Sequence, residues 1–469
     1  MNIPIQGQLA VILQRLQPIL TAIEHAGGHA LIVGGAVRDY LFGHDLQDVD
    51  IEVYGLSAEQ ITRVLSDFGR VYAVGRSFGV LKFRFADGEE LDFAMPRREN
   101  KTGAGHRGFM VEPDPHMTPR EAAMRRDFTW NAMALTLSGE LLDFFYGAED
   151  LQAGVIRHVS DAFAEDPLRV LRAMQFAARF DMHLAPETAI LCRSLRSEAA
   201  TLSIERIWGE WHKWALKGQR PSAGLRVLYE TGWIAVFPEL QALVGCLQNA
   251  KYHPEGDVWI HTQFVCDAAA QIAIRENLGE QERMVLLFSA LCHDLGKPCT
   301  TGPDAEGRMR SPGHAKAGVP LVQSFLQRIG APKQIIAQVE RLVHRHMAHL
   351  RLQITEAAVR RLAVQLKPAT IRMWAHVLEA DYSGRPPFPP GKPGTPVVEM
   401  AEQLGVVDGP PKPLLLGRHL LEAGVATGPG IGALLDQAYE AQIDGNILTT
   451  DEALIWVLQH VDKDGGIGE

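Results

Sequence analysis

The stretch LIVGGAVRDYLFGHDLQDVDIEV (residues 31–53) joins an apolar strand, a Gly-Gly turn, a helical segment and a second strand whose residues alternate in chemistry. The period of two in a strand puts Asp48, Asp50 and Glu52 on one face and Val49, Ile51 and Val53 on the other. One face belongs to a core and the other is acidic; a solvated edge strand is the plain alternative. Asp92, between Leu91 and Phe93 on another strand, can complete a three-carboxylate site with Asp48 and Asp50. Oxygen ligands of this kind suit Mg²⁺, which uses few protein carboxylates together with substrate phosphates. In Gly34-Gly35-Ala36-Val37-Arg38-Asp39 the turn precedes a helix, a setting in which exposed backbone N–H groups hold phosphate.

Outward from this stretch the chain reads as mixed α and β for its first third. Leu9, Ile12, Leu13, Leu16, Ile19, Leu20 and Ile23 recur at helical spacing before Gly27-Gly28. Strands are expected at His29–Val33, Val49–Tyr54, Val80–Phe85 and Glu90–Met95, the last two joined by a hairpin turn at Asp87-Gly88. From Asp166 onward helical patterns take over. Residues 385–396 (RPPFPPGKPGTP), with six prolines in twelve residues, are the clearest linker. Three short helical patterns follow, at Leu415–Val425, Gly428–Ala438 and Thr450–Val461.

At 469 residues the chain is several times the size of one small domain, so at least two cored units are expected. With 46% hydrophobic and 22% charged residues it has the composition of an ordinary globular protein. A net charge of −10 confines any nucleic-acid surface to a local patch. Cys192, Cys246, Cys266, Cys292 and Cys299 form no C-x-x-C pair, which points to reduced thiols and the cytoplasm. No apolar run reaches the ~18 residues needed to span a bilayer, so no membrane partner is expected.

Three further motifs carry chemistry. Arg125-Arg126-Asp127, followed by Asn131, offers cations, an acid and an amide to a triphosphate and ribose hydroxyls. In Glu165-Asp166-Pro167-Leu168-Arg169, Pro167 suits the first helical position with Asp166 as N-cap. Asp166 and Arg169 then share a face that Arg172 extends. A carboxylate there accepts from the amino group of cytosine or adenine, whereas uracil O4 and guanine O6 would repel it. Finally, His293-Asp294 follows an apolar helix, with His261, His314, His344 and Asp381 elsewhere in the helical half; His346 and His349 read as plain surface residues. Imidazole plus carboxylate suits a divalent transition metal such as Ni²⁺, Co²⁺ or Mn²⁺ that activates water at phosphate esters.

LIVGGAVRDYLFGHDLQDVDIEV, together with LDFAMPRREN, RRDFTWNAMA and EDPLRVLRAMQFAARF, resembles the class II tRNA nucleotidyltransferases, the CCA-adding enzymes, and the related bacterial poly(A) polymerases. The match runs in the family's order through about the first 210 residues. Each motif alone is modest, but the ordered set is specific. The resemblance implies an α+β architecture: a polymerase-β-like nucleotidyltransferase head, an all-α neck, a body and a tail. It places the head at 1–155, the base-reading neck at 156–225, the body at 226–384 and a tRNA-binding tail at 397–469. It implies Asp48 and Asp50 as Mg²⁺ ligands, with Asp92 as an assisting carboxylate. Gly34, Gly35, Arg38, Arg125, Arg126, Asp127, Asn131, Glu165, Asp166, Arg169 and Arg172 become nucleotide contacts, for CTP and ATP as substrates and tRNA as partner. Trp130 stands where the family often has an aliphatic residue, a difference of packing. The Gly-rich basic segment 97–109 looks like the family's full-length flexible loop, and Arg206, Lys213, Lys217 and Arg220 are cations that could meet tRNA phosphates.

The H…HD…D pattern of His261, His293, Asp294 and Asp381 resembles the HD phosphohydrolase superfamily. It implies 2′,3′-cyclic phosphodiesterase, 2′-nucleotidase and phosphatase activities in a body domain. The alternatives are a poly(A) polymerase, a CC-only or A-only transferase, an RNA-end phosphohydrolase with a non-catalytic head, and a nonenzymatic RNA-binding factor. Oligomeric state is not legible in the sequence.

Overall fold

The computed structural model describes residues 2–46, 49–74, 80–101, 109–424 and 430–460. Its contacts divide the chain into two compact units, residues 1–214 with 223–236 and residues 215–222 with 237–469.

The first unit opens with α1 (Gly7–His25), whose apolar stripe buries Leu9, Leu13, Leu16, Ile19, Leu20 and Ile23. There follow β1 (His29–Val33), α2 (Gly35–Phe42), β2 (Asp50–Tyr54), α3 (Ala58–Ser66), β3 (Arg70–Val74), β4 (Val80–Arg84) and β5 (Glu90–Ala94). A second ribbon pairs β6 (Arg97–Lys101) with β7 (Phe109–Pro113) antiparallel. After α4 (Pro119–Met124), β8 (Ala134–Leu135) and β9 (Leu141–Leu142) complete a seven-stranded sheet of order β3-β4-β5-β2-β1-β8-β9. Every contact in it is antiparallel except β2 with β5. Along β2 the burial alternates as expected, with Ile51 and Val53 buried and Asp50 and Glu52 on the other face. The edge strand β3 was not among the expected strands. Its exposed Arg70 and Tyr72 show why: an edge strand needs little apolar pattern to pair.

Beyond the sheet, α5 (Gly147–Ala153) leads to β10 (Val155–Ile156) and α6 (Leu168–Phe180), and β11 (His183–Leu184) pairs parallel with β10. The helices α7 (Pro186–Ser194), α8 (Ile204–Lys217) and α9 (Pro221–Glu230) follow. Trp130 is fully buried, stacks on Phe128 at 5.2 Å and donates Nε1–H to Val155 O at 3.0 Å, which makes its role one of packing.

The second unit is helical from α10 (Pro238–Gln241) onward: α11 (Val258–Arg275), α12 (Glu280–Cys292), α13 (His314–Arg328), α14 (Lys333–Arg345), α15 (Glu356–Leu366), α16 (Ile371–Ser383) and α17 (Thr395–Gln403). Its core is built where α11, α12, α14 and α16 pack on one another. The Pro-rich stretch expected as a linker is a packed connection, because α17 lies against α15 and α16 and no unit boundary falls there. Gly384 abuts Val265 and Gly394 abuts Ala375 so closely that neither position has room for a Cβ. The end of the chain holds α18 (Gly417–Glu422), α19 (Gly430–Ile443) and α20 (Thr450–His460) around a small core including Leu420, Leu434 and Val457. The five cysteines are unpaired, and no helix among the described residues is long and apolar enough to cross a membrane.

Candidate active sites

The first site lies in the first unit, at the acidic face of the sheet. Parallel pairing of β2 with β5 sets Asp50 opposite Asp92, and both line a cleft of about 480 Å³ together with Glu52. Asp92 Oδ1 is 3.5 Å from Lys82 Nζ. Asp48 and the Gly-rich segment 102–108 lie outside the described residues. Arg125, Arg126, Arg169, Arg172, Arg206 and Asp166 also line the cleft. Strand carboxylates and helix guanidiniums in one cleft are the complementary halves of a site for a nucleoside triphosphate with its metal ions.

Helix α6 starts at Leu168, one residue later than expected, yet Asp166 still caps it: Oδ1 accepts the Leu168 N–H at 3.1 Å. Its Oδ2 accepts from Arg206 Nη2 at 2.6 Å. Arg206, expected among surface cations for tRNA phosphates, is thus the direct partner of the acid expected to read the base. Arg169 donates to Ala162 O and Arg125 O, each at 2.8 Å, and Arg125 Nη2 meets Glu165 Oε2 at 2.8 Å. Of the other surface cations, Lys213 Nζ sits 2.9 Å from Glu210 Oε1 and Arg220 Nε 3.7 Å from Asp267 Oδ2.

Asp127 is buried at the back of the cleft, with Oδ1 taking the Phe128 N–H and Asn131 Nδ2–H and Oδ2 taking Arg172 Nε–H at 2.7 Å. Burial pushes this carboxyl up, but Arg172 and Asn131 outweigh it and hold the pKa below the ordinary value. Arg38 and Asn131 do not line the cleft. Arg38 is buried, donates to Asn131 Oδ1 and Asp39 Oδ1 at 2.8 Å each, and faces the Phe176 and Phe180 rings. Desolvation lowers its pKa. These two residues hold the cleft wall in place. Gly34 has φ +69°, a conformation side chains resist, and its missing Cβ leaves room for Arg126 Nη1, 2.7 Å from where that carbon would stand.

The second site lies wholly in the second unit. His261 on α11, His293 and Asp294 at the end of α12, and Asp381 on α16 come together as expected. His261 Nε2 is 3.2 Å from Asp381 Oδ1 and 3.3 Å from His293 Nε2, and His293 Nε2 is 3.0 Å from Asp294 Oδ2. His314 joins them, with Nε2 3.5 Å from Asp294 Oδ1. His346 corrects the expectation of a surface residue. It is only 1% exposed, and its Nε2 is 3.1 Å from that of His314, because the end of α14 turns inward over α13. Its neighbour His349 is half-buried and directs Nδ1 to His346 O at 3.1 Å, whereas His344 belongs to none of the ligand groups among the described residues.

Ring chemistry supports metal at this site. His293, His314 and His346 each direct Nδ1 at a backbone carbonyl, of Ala290, Ser311 and Val343. A carbonyl only accepts, so these nitrogens carry the hydrogens and a neutral ring presents its lone pair at Nε2. Burial pushes His346 down to about 3, which keeps it neutral. Lone pairs 3.1–3.3 Å apart repel unless a cation lies among them. Of three groups among the described residues that could each hold an ion, His261-His293-Asp294 and Asp294-His314-His346 share Asp294, and the third is His253-Glu255-His261. Gly296 makes this possible: a Cβ there would stand 2.1 Å from His314 O and 2.6 Å from Gly318 N, so only glycine lets α13 approach. Lys297 Nζ lies 2.6 Å from Asp294 Oδ2, and Arg385 Nη2 2.7 Å from Asp381 Oδ1.

Sequence reasoning did not single out Arg206 as a cleft residue, or His253 or Glu255. His253 Nδ1 and His261 Nδ1 lie 2.9 and 2.8 Å from Glu255 Oε1. The available signal was a His-Pro-Glu run shortly before His261, in a segment without helical or strand periodicity.

Family models match three stretches of the chain. Residues 30–157 match the "Poly A polymerase head domain" model, residues 181–243 the "Probable RNA and SrmB- binding site of polymerase A" model and residues 258–380 the "HD domain" model. A multifunctional CCA protein of Xanthomonas oryzae pv. oryzae is 40% identical over 366 residues, covering 76% of this chain and 85% of the relative. One from Nitrosococcus oceani is 36% identical over 362 residues, covering 76% and 84%. Among solved structures, the Bacillus stearothermophilus CCA-adding enzyme in complex with CTP superposes with a TM-score of 0.65 at 23% identity, over 95% of this chain and 97% of that one. The Thermotoga maritima CCA-adding enzyme complexed with tRNA gives 0.59 at 20% identity, over 97% and 96%. With an HD domain behind a nucleotidyltransferase head, and relatives this similar over most of their length, the chain belongs to the multifunctional CCA protein family.

Proposed function

We propose that the chain adds and repairs the 3′-terminal CCA of tRNA from CTP and ATP without a nucleic-acid template, and that its second site hydrolyses phosphate esters at RNA or nucleotide ends. The observation that carries the first activity is the placement of Asp50 and Asp92 on paired strands across one cleft from Asp166, Arg169 and Arg206. Asp48, Asp50 and Asp92 are the residues that would hold Mg²⁺, which when bound lowers the cost of charge on the attacking 3′-oxygen and on pyrophosphate. Arg125 and Arg126 bind and orient the triphosphate, while Asp127 keeps Arg172 directed at the cleft. The Asp166 carboxylate accepts the exocyclic amino group of C or A and turns away the carbonyls of U and G. The division into head, base-reading neck, body and tRNA-binding tail at 1–155, 156–225, 226–384 and 397–469 goes with this reading.

In the second site, His261, His293, Asp294 and Asp381 would hold one divalent ion, and His314 and His346 with the shared Asp294 a second. Such ions supply a nucleophilic hydroxide from water at neutral pH. Imidazole-rich donors favour Ni²⁺, Co²⁺ or Mn²⁺ over Mg²⁺. Lys297 steadies Asp294, and Lys297 with Arg385, each paired to a carboxylate of the site, favours an anionic ester. Unpaired cysteines suit the cytoplasm.

Purified protein incubated with tRNA lacking its CCA, with each NTP alone and then with CTP plus ATP, tests the first activity. Sequential C, C and A addition is expected; A tails of open length overturn it in favour of a poly(A) polymerase. A metal screen with 2′,3′-cyclic nucleotides tests the second, with His293→Ala expected to lose hydrolysis and retain CCA addition.

A further inference from the structure

His261 has two acceptors near its Nδ1: Gly384 O at 3.1 Å and Glu255 Oε1 at 2.8 Å. The side chains of His261 and Glu255 are both fully buried, and Glu255 Oε2 has no hydrogen-bond partner. His253 approaches the same oxygen beside it, with its ring 4.8 Å from that of His261 and Nδ1 2.9 Å from Oε1. A carboxylate taken out of water needs compensating charge and hydrogen bonds. Here imidazole N–H groups meet one oxygen while the other meets none. The far nitrogen of His261, Nε2, points instead at Asp381 and His293.

From this arrangement we infer that Glu255 is a positioning residue for the metal centre. Its carboxylate accepts the Nδ1–H of His261, turns the ring so that Nε2 faces Asp294 and Asp381, and raises the donor strength of Nε2 toward a divalent cation. His253, bonded to the same oxygen, holds the carboxylate in place. A buried anion in line with an imidazole and a cation is a stable series of charges. Without the cation, the same anion stands under-compensated in the interior. Carboxylate partners of this kind typically change metal affinity by about 10- to 100-fold. Gly384 O fixes the same tautomer by itself, so the effect of Glu255 is carried mainly by its charge. The inference rests on reading the second site as a metal centre.

The test is Ni²⁺ and Co²⁺ affinity of the full-length protein by equilibrium dialysis, for wild type, Glu255→Gln and His253→Gln. Thermal unfolding of the metal-free proteins and CCA addition are measured alongside. Glu255→Gln keeps the shape and an acceptor oxygen but removes the charge. We expect it to weaken ion binding by about tenfold or more, with CCA addition unchanged. His253→Gln should weaken binding less, in the same direction. Should Glu255→Gln fail to fold, the His253→Gln affinity decides. Wild type that binds neither ion overturns the metal centre and this inference together. Wild type that binds, beside folded variants of unchanged affinity, overturns the inference alone. Rescue in Glu255→Asp at a fraction of wild-type affinity would support a charge effect, since the anion is kept while the oxygen is withdrawn.

Discussion

Replacing Asp166 by Asn tests the base-reading site with little disturbance of the fold. Asp166 does three things that can be separated. Its Oδ1 caps α6 through the Leu168 N–H, its Oδ2 pairs with Arg206 at 2.6 Å, and the carboxylate lines the cleft. Asn caps helices about as well as Asp, so the first function survives. The Arg206 pair is partly exposed, 23% and 27% for the two side chains, and in that setting is worth about 0.2–1 kcal/mol. The expected cost in stability is therefore about 1 kcal/mol or less, a shift of a few degrees in Tm. Base selection should change far more. Removing the charge from a charge-assisted hydrogen bond costs about 1.5–3 kcal/mol, equivalent to roughly tenfold to hundredfold in kcat/KM for CTP and ATP. The Asn amide also offers N–H donors that match uracil O4 or guanine O6, so UTP and GTP should gain relative to CTP. Single-nucleotide incorporation into tRNA lacking its CCA, measured with each NTP, reads both effects. An unchanged ratio of CTP to UTP in a stable Asn variant would refute the assignment of base reading to Asp166.

Asp50→Ala and Asp92→Ala should each reduce nucleotide addition while leaving metal-dependent hydrolysis at the second site intact; near-normal addition by both would remove these carboxylates from the chemistry. Arg172→Ala leaves Asp127 buried without its main counter-charge and should destabilise the fold by about 2–3 kcal/mol, below the full figure for a buried pair because Arg172 is 31% exposed. Because the folded-state pKa of Asp127 lies below its unfolded value, its contribution is present above the ordinary carboxyl range and lost as pH falls through and below it. Urea titrations from pH 6 to pH 3 should accordingly show a shallower acid loss in Arg172→Ala than in wild type. Gly296→Ala puts a carbon 2.1 Å from His314 O and must push α13 away from Asp294, so stoichiometric Co²⁺ binding should fall; two ions bound as in wild type would show that the helix accommodates the change.

The first site was legible because its chemistry is written along single elements. The alternation at 49–53, the hairpin turn at Asp87-Gly88 and the capping acid at Asp166 are each fixed by neighbours a few residues apart, and each appears in the structure within a residue of its expected place. What could not be read is which side chain answers which across elements. Arg38 stands in the Gly-Gly motif where phosphate contacts are expected, yet a cluster of aromatic rings and Asn131 draw it inward. Arg206 on α8 is an ordinary-looking cation of an amphipathic helix until the fold carries it to Asp166.

The second site makes the same point in sharper form. His293-Asp294 is legible because two ligands are adjacent, and His261 and Asp381 because a family pattern joins them. His346 and Glu255 are not legible, because their meaning depends on where a ring nitrogen or a carboxylate oxygen ends up. His346 closes a helix, in a position where an exposed cation is the ordinary expectation, and only the approach of α13 permitted by Gly296 makes it face His314. Glu255 lies outside any regular element, so periodicity says nothing about its burial. Its position beside His261 depends on the turn that ends at the Asp257 cap of α11, where Oδ1 accepts the Ile260 N–H. A ligand pattern in sequence thus identifies the first ring of a metal site; the groups that orient that ring are chosen by packing, and geometry is needed to find them.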